Sequence, residues 1–193
     1  MRINFSGSGE RRPTSGAGRF ARVAASVVRF WAILGGLTAT ALALMTAASA
    51  VSNLLFSAPF AADHELIKHF VAIVIFMFLP YCQLAGANVT VDIFTEGMGD
   101  TAKALMAAFA SLLAIAFSLL LLRQMYLGLI DYRQYVEITP VLKLPLWTAF
   151  PPILVSLALL FLAACLTFAD AIRAIGGRPS WFGPAAAAEE EGA

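Results

Sequence analysis

The chain has 193 residues, of which 60% are hydrophobic and only 13% charged, with a formal net charge of +1. A soluble domain is about 45–50% apolar and about 25% charged, so this composition excludes an ordinary soluble globular protein. A net charge this close to zero gives no reason to expect a nucleic-acid partner.

Residues 1–17 are polar and rich in Gly, Ser and Arg, and are expected to be disordered. Six arginines precede the first apolar stretch (Arg2, Arg11, Arg12, Arg19, Arg22 and Arg29), opposed only by Glu10. The positive-inside rule then places the N-terminus in the cytoplasm. Four spans return the C-terminus to the same side. Within Gly18–Phe30, Arg19, Arg22, Ser26 and Arg29 recur at helical spacing, with Phe20, Val23, Val27 and Phe30 on another face. Two readings stand for this segment. It is an amphipathic helix lying at the interface, its arginines toward anionic membrane lipid, or an extension of the first span into water.

Four stretches carry no charged residue: Phe30–Ala62, Phe70–Val91, Ala104–Leu122 and Leu144–Ala169, of 33, 22, 19 and 26 residues. A span needs about 20 apolar residues, so each can cross a bilayer. Backbone groups in hydrocarbon must be paired within their own segment, so these stretches are helices. The fold class is therefore an all-α membrane protein with four transmembrane helices, both termini cytoplasmic. The spans fall at about 30–56, 68–88, 103–130 and 146–169, inside a membrane domain of 18–175 followed by a tail of 176–193. The first uncharged run far exceeds the ~7–15 apolar residues of a signal peptide, so cleavage after it is not expected. Arg11-Arg12 stands too far from that run for a twin-arginine signal.

The first span carries Gly35, Ala39, Ala43 and Ala47 at intervals of four, a helix-packing face whose partner lies in this chain or another. The second span contains Pro80, which frees the Phe76 carbonyl and predicts a kink. Cys82 and Cys165 read as small buried hydrophobes. His64 and His69 sit at one edge of the second span, where they cannot face one another across a bundle to hold a haem. No catalytic motif, metal set or cofactor site is legible, and no enzymatic activity is expected.

After the second span comes Leu84-Ala85-Gly86-Ala87-Asn88-Val89-Thr90-Val91-Asp92-Ile93-Phe94. Its period-two alternation fits a short extended link. Alternatively Asp92 caps a following helix. The third span meets Arg123, and helical character continues through Tyr126, Asp131, Tyr132, Arg133 and Tyr135. Arg123 either pairs with Asp131 or Glu137 or extends its guanidinium to the headgroups. Pro140 and Pro145 stiffen the loop before the fourth span, and Trp147 sits at the interface. Pro151 and Pro152 imply a delayed or bent start to the fourth helix.

The segment from Gly86 to Asp92 resembles the signature of the small membrane subunit of tripartite ATP-independent periplasmic (TRAP) transporters, the DctQ type. That signature runs Gly, a basic residue, His, a β-branched residue, any residue, Val or Ile, then an acid. Gly86, Val89, Val91 and Asp92 match, while Ala87 and Asn88 stand where the family has the basic residue and the His. Thr139-Pro140 followed by Pro145-Leu146-Trp147 is similar to the family's lead into its fourth span. The resemblance covers about Phe30 to Ile175.

It implies a multi-pass protein of the bacterial inner membrane that scaffolds a large permease subunit. That permease would carry the sodium and substrate sites and take an organic acid from a periplasmic binding protein. The chain ends at Ala193, so the permease is expected as a separate chain. Gly86, Asn88, Asp92, Arg123, Pro140, Pro145 and Trp147 are the candidate interaction or structural residues. Two other readings remain. One is an oligomeric channel or small-solute transporter lined by Ser49, Ser52, Asn53 and Gln83, and the other is a membrane anchor for a redox complex.

Overall fold

The computed structural model describes residues 16–57, 60, 62–85 and 100–176. The helices are α1 (Gly16–Phe56), α2 (Asp63–Leu84), α3 (Asp100–Gln134) and α4 (Phe150–Ile175). A single 3₁₀ turn, Leu146–Ala149, precedes α4. All four helices are long and apolar enough to cross a membrane. Among the described residues there is no strand, only an isolated bridge between Ile138 and Pro145. The expected all-helical, four-span architecture is the one observed.

The helices stand side by side in the order α1, α2, α4, α3, so that α2 and α4 form the centre. The main core joins Ile73 and Met77 of α2 to Ile153, Leu157 and Leu160 of α4. Trp31 and Leu34 of α1 close it on one side, and Leu121, Leu122 and Met125 of α3 on the other. Lipid is as apolar as these side chains, so no hydrophobic effect separates helix from lipid. Close van der Waals packing and interhelical hydrogen bonds must hold the bundle. Small residues supply the packing: Ala163 and Ala164 of α4 are fully buried, as is Ser118 of α3, with Ser111 and Ala108 on the same seam. Ser111 and Ser118 return their hydroxyl protons to carbonyls of their own helix, so each behaves as a small, satisfied spacer.

Polar bonds also tie the elements to one another. The Trp31 indole N–H donates to Ser156 Oγ at 2.9 Å, and Ser156 donates in turn to the Pro152 carbonyl. Gln83 Nε2 donates to Thr167 Oγ1 at 3.2 Å. Thr148 Oγ1 lies 3.1 Å from His69 Nε2. The Thr148 hydroxyl also donates to the Pro145 carbonyl at 2.7 Å.

Helix α1 runs unbroken for 41 residues, roughly 60 Å at 1.5 Å per residue, longer than the ~40–45 Å of a whole bilayer. This decides between the two readings of Gly18–Phe30. The segment is the first part of α1, and Ala21 and Ala24 are buried against Leu84, Leu162 and Leu166. The interfacial helix is therefore corrected to an extension of the first span, held to the bundle by its alanine face. Pro80 lies inside α2 and is fully buried. Cys165 is half-buried, but Cys82 is exposed on α2, contrary to the expectation of a buried hydrophobe. The apolar stretch holding Cys82 presents one face outward, as a membrane helix can at no cost.

The doubled proline takes up the first turn of α4, where an N–H has no intrahelical partner and its loss costs nothing. The delayed start expected there is the 3₁₀ turn, capped by Pro145 in an extended conformation.

Candidate functional site

At the end of the bundle opposite the start of α1, the 11 residues from Tyr135 to Pro145 fold back as a hairpin between α3 and α4. Thr139 organises it. Its N–H donates to the Leu144 carbonyl, its carbonyl accepts from Lys143, and its hydroxyl accepts from the Leu144 N–H. Lys143 takes up the reversal with φ of 53°, the left-handed region a Lys seldom occupies. The Ile138–Pro145 bridge and the bond from Leu146 N–H to the Glu137 carbonyl close the base.

The tip is held from another helix. Glu65, in the first turn of α2, accepts the Val141 N–H on Oε1 and the Leu142 N–H on Oε2, both at 2.9 Å. A carboxylate accepting two amides is favoured in its charged form. Glu65 precedes the charge-free part of α2, which begins at Phe70. The Leu142 amide is the main cause holding its carboxyl below the usual carboxylate range. The Val141 amide, the Thr139 hydroxyl and the Lys68 charge act in the same direction, against the cost of desolvation. A depressed pKa means that this clamp contributes fully above the ordinary carboxylate value and is lost as pH falls through the lowered one. Amide-exchange protection of Val141 and Leu142 should therefore stay level from neutral pH down to the ordinary carboxylate range and fall only below it. Protection lost already near neutrality would rule the clamp out.

Beside the hairpin, the Arg133 guanidinium lies over the Trp147 ring at 5.3 Å, and Tyr132 packs on Phe150 with ring centroids 5.2 Å apart. Gly128 lets Phe150 approach, since an added Cβ would meet Phe150 Cε1 at 3.1 Å. An apolar cavity of about 390 Å³ opens between α1, α2 and the hairpin, with Thr38, His69 and Thr148 as its polar lining.

The candidate residues fall in three places. Pro140, Pro145 and Trp147 come together here: Pro140 exposed at the tip, Pro145 at the bridge, Trp147 under Arg133. Arg123 is exposed on α3, away from this cluster. Gly86, Asn88 and Asp92 lie outside the described residues. On α1, Gly35 is buried against Met77, Ala39 is half-buried, and Ala43 and Ala47 are exposed. The split is geometric. Strict four-residue spacing precesses by roughly 40° per step around a 3.6-residue helix, so the stripe turns from α2 to the outside within three steps. The inward face is instead Ala21, Ala24, Val28, Ala32 and Gly35, which mixes steps of three and four.

Sequence reading missed Glu65 and the Trp31–Ser156 pair, whose partners lie 76 and 125 residues away. An acidic residue in a first helical turn reads as a dipole partner, and a Ser on an apolar helix as a spacer. Nothing local announces either bond. Of the residues considered as a solute path, Ser49 accepts the Phe60 N–H, and Gln83 is bonded to Thr167 at the other end of the bundle. Among the described residues no three His, Cys, Asp or Glu gather as a metal site would require.

No curated protein and no solved structure matches the chain. A family model described as tripartite ATP-independent periplasmic transporters, DctQ component, matches residues 42–174, from the middle of α1 to the end of α4.

Proposed function

Because the chain belongs to the DctQ family, the small membrane component of TRAP transporters in the inner membrane, we propose that it scaffolds the large permease subunit. In this reading the permease carries out sodium-coupled uptake of an organic acid delivered by a periplasmic binding protein. The chain contributes no ion or substrate ligand of its own. The arginine-rich N-terminus and the C-terminus are cytoplasmic, and the hairpin end is periplasmic, near the binding protein.

One observation carries this reading. The helix centres carry no charge, and polar side chains of the spans bond one another, Trp31 with Ser156 inside the bundle and Gln83 with Thr167 at its end. A charge at a helix centre costs about 2.5–3.5 kcal/mol on insertion scales, and such charges mark solute and ion pathways. These helices hold packing bonds to one another instead.

The outward face of α1 is the permease-facing surface in this proposal. Ala43 and Ala47 are exposed beside Leu37 and Leu44, which are 68% and 67% exposed, and small residues let a second helix approach closely. A photo-crosslinker at Ala43 or Ala47 in native membranes should capture a large multispanning protein, and one at Leu157, buried in the core, should not. Capture of lipid alone from both α1 positions would remove α1 from the interface. Solute flux through liposomes holding only this chain would favour the channel reading instead.

A further inference from the structure

The hairpin between α3 and α4 exposes more aliphatic surface than a solvated turn needs. Val136 is 62% exposed, Ile138 and Val141 are each 53% exposed, and Leu142 is 37% exposed. The amides of its tip, by contrast, ask nothing of water. Every backbone N–H from Thr139 to Leu146 donates within the chain, two of them to Glu65, and Pro140 and Pro145 have none to donate. Water would satisfy these amides in a solvated loop, whereas a layer poor in water demands internal partners.

The register sets the depth. Glu65 stands five residues before Phe70, where the charge-free part of α2 begins, which puts the clamped tip roughly 7 Å outside the hydrocarbon edge. The headgroup layer is about that thick, from ~30 Å of hydrocarbon and ~40–45 Å of bilayer. Tyr135, Trp147 and Arg133 flank the hairpin, residue types that settle at this level, and the exposed Lys143 can reach phosphate.

We infer that the hairpin lies within the headgroup layer, its aliphatic side chains packed among the phospholipid headgroups. Glu65 is the positioning residue that permits this. It supplies an acceptor for two amides that would otherwise draw the tip back to water. The ligand is the lipid surface itself, and a protein covering the same side chains is the competing outcome.

The test uses the full chain in nanodiscs of phosphatidylethanolamine and phosphatidylglycerol, with Cys82→Ala and Cys165→Ala as background. Spin labels go singly at V141C, K143C and F117C, Phe117 being 64% exposed on α3 within a charge-free stretch. Collision with oxygen, which partitions into lipid, is compared with collision with a water-soluble nickel chelate. The oxygen-to-nickel ratio at V141C should fall below that at F117C, as the headgroup depth requires, and exceed that at K143C several-fold. Glu65→Ala should bring V141C down to the K143C value with F117C unchanged, which shows the bundle still folded in the bilayer. Glu65→Gln, which keeps one acceptor oxygen, should fall between. A V141C label as nickel-accessible as K143C would place the hairpin in water, and one shielded from both reagents would place it against protein. Either result overturns the proposal, and an unchanged V141C in Glu65→Ala overturns the role of Glu65.

Discussion

Leu157→Ala is expected to destabilise the folded bundle by about 2 kcal/mol, the low end of the ~2–5 kcal/mol range for such core truncations. Leu157 is fully buried where α2 and α4 meet, among Ile73, Met77, Ile153 and Leu160, with Trp31 and Leu34 closing from α1. In water much of the cost of this truncation would be lost transfer from solvent. In a bilayer the unfolded reference is lipid, which is equally apolar, so that part largely vanishes. What remains is the cavity: a buried Leu makes some 40–60 atom contacts of about 0.1–0.2 kcal/mol each. The neighbours lose those contacts outright if three helices cannot collapse inward. Val155→Ala on the exposed side of the same helix exchanges side-chain contacts for lipid contacts and should be close to neutral. Unfolding in mixed detergent micelles distinguishes the two. Equal losses at both positions would mean that the α2–α4 seam is not the core.

Gly35→Leu should cost about 1–3 kcal/mol and loosen α1 from α2, because overpacking a close contact forces strain on both sides. A Cβ built on Gly35 falls 3.0 Å from Met77 Cβ. Met77 Cβ is fixed to the α2 backbone, so the contact cannot relax by a rotamer change and the helices must part. The neighbouring glycine is the control. A Cβ on Gly36 meets only Phe78 Cζ at 3.8 Å, an ordinary contact at the tip of a ring. Replacing a helical Gly by Ala gains about 1 kcal/mol of helix propensity. Gly36→Ala should therefore be neutral or mildly stabilising, while Gly35→Ala loses that gain to the clash. The same unfolding assay reads both, and a stabilising Gly35→Ala would show that α1 does not approach α2 so closely.

These two positions also mark how far the sequence could be read. Gly35 was legible as a packing residue because small side chains at helical spacing have one main use in lipid. The phase of the stripe was not, because spacing of four fits a helix face for one or two turns and then rotates off it. Leu157 was unreadable as a core residue. In a stretch apolar on every side, periodicity no longer separates inside from outside, and burial depends on which helices α4 lies between. The number of spans, their helical nature and the stiff turn before α4 followed from length, missing charge and paired prolines, which are local. The Glu65 clamp joins the start of α2 to a loop 76 residues on, and only the assembled bundle brings them together. The segment from Gly86 to Asp92 carries part of the family resemblance and lies outside the described residues.

In the proposed function this chain holds a larger transport protein and does not itself carry solute. Affinity purification of the tagged chain from native membranes in mild detergent tests it most directly. The expected result is a stable complex with one large multispanning permease, in a fixed ratio that survives size-exclusion chromatography. Recovery of the chain alone, or only with copies of itself, would contradict it.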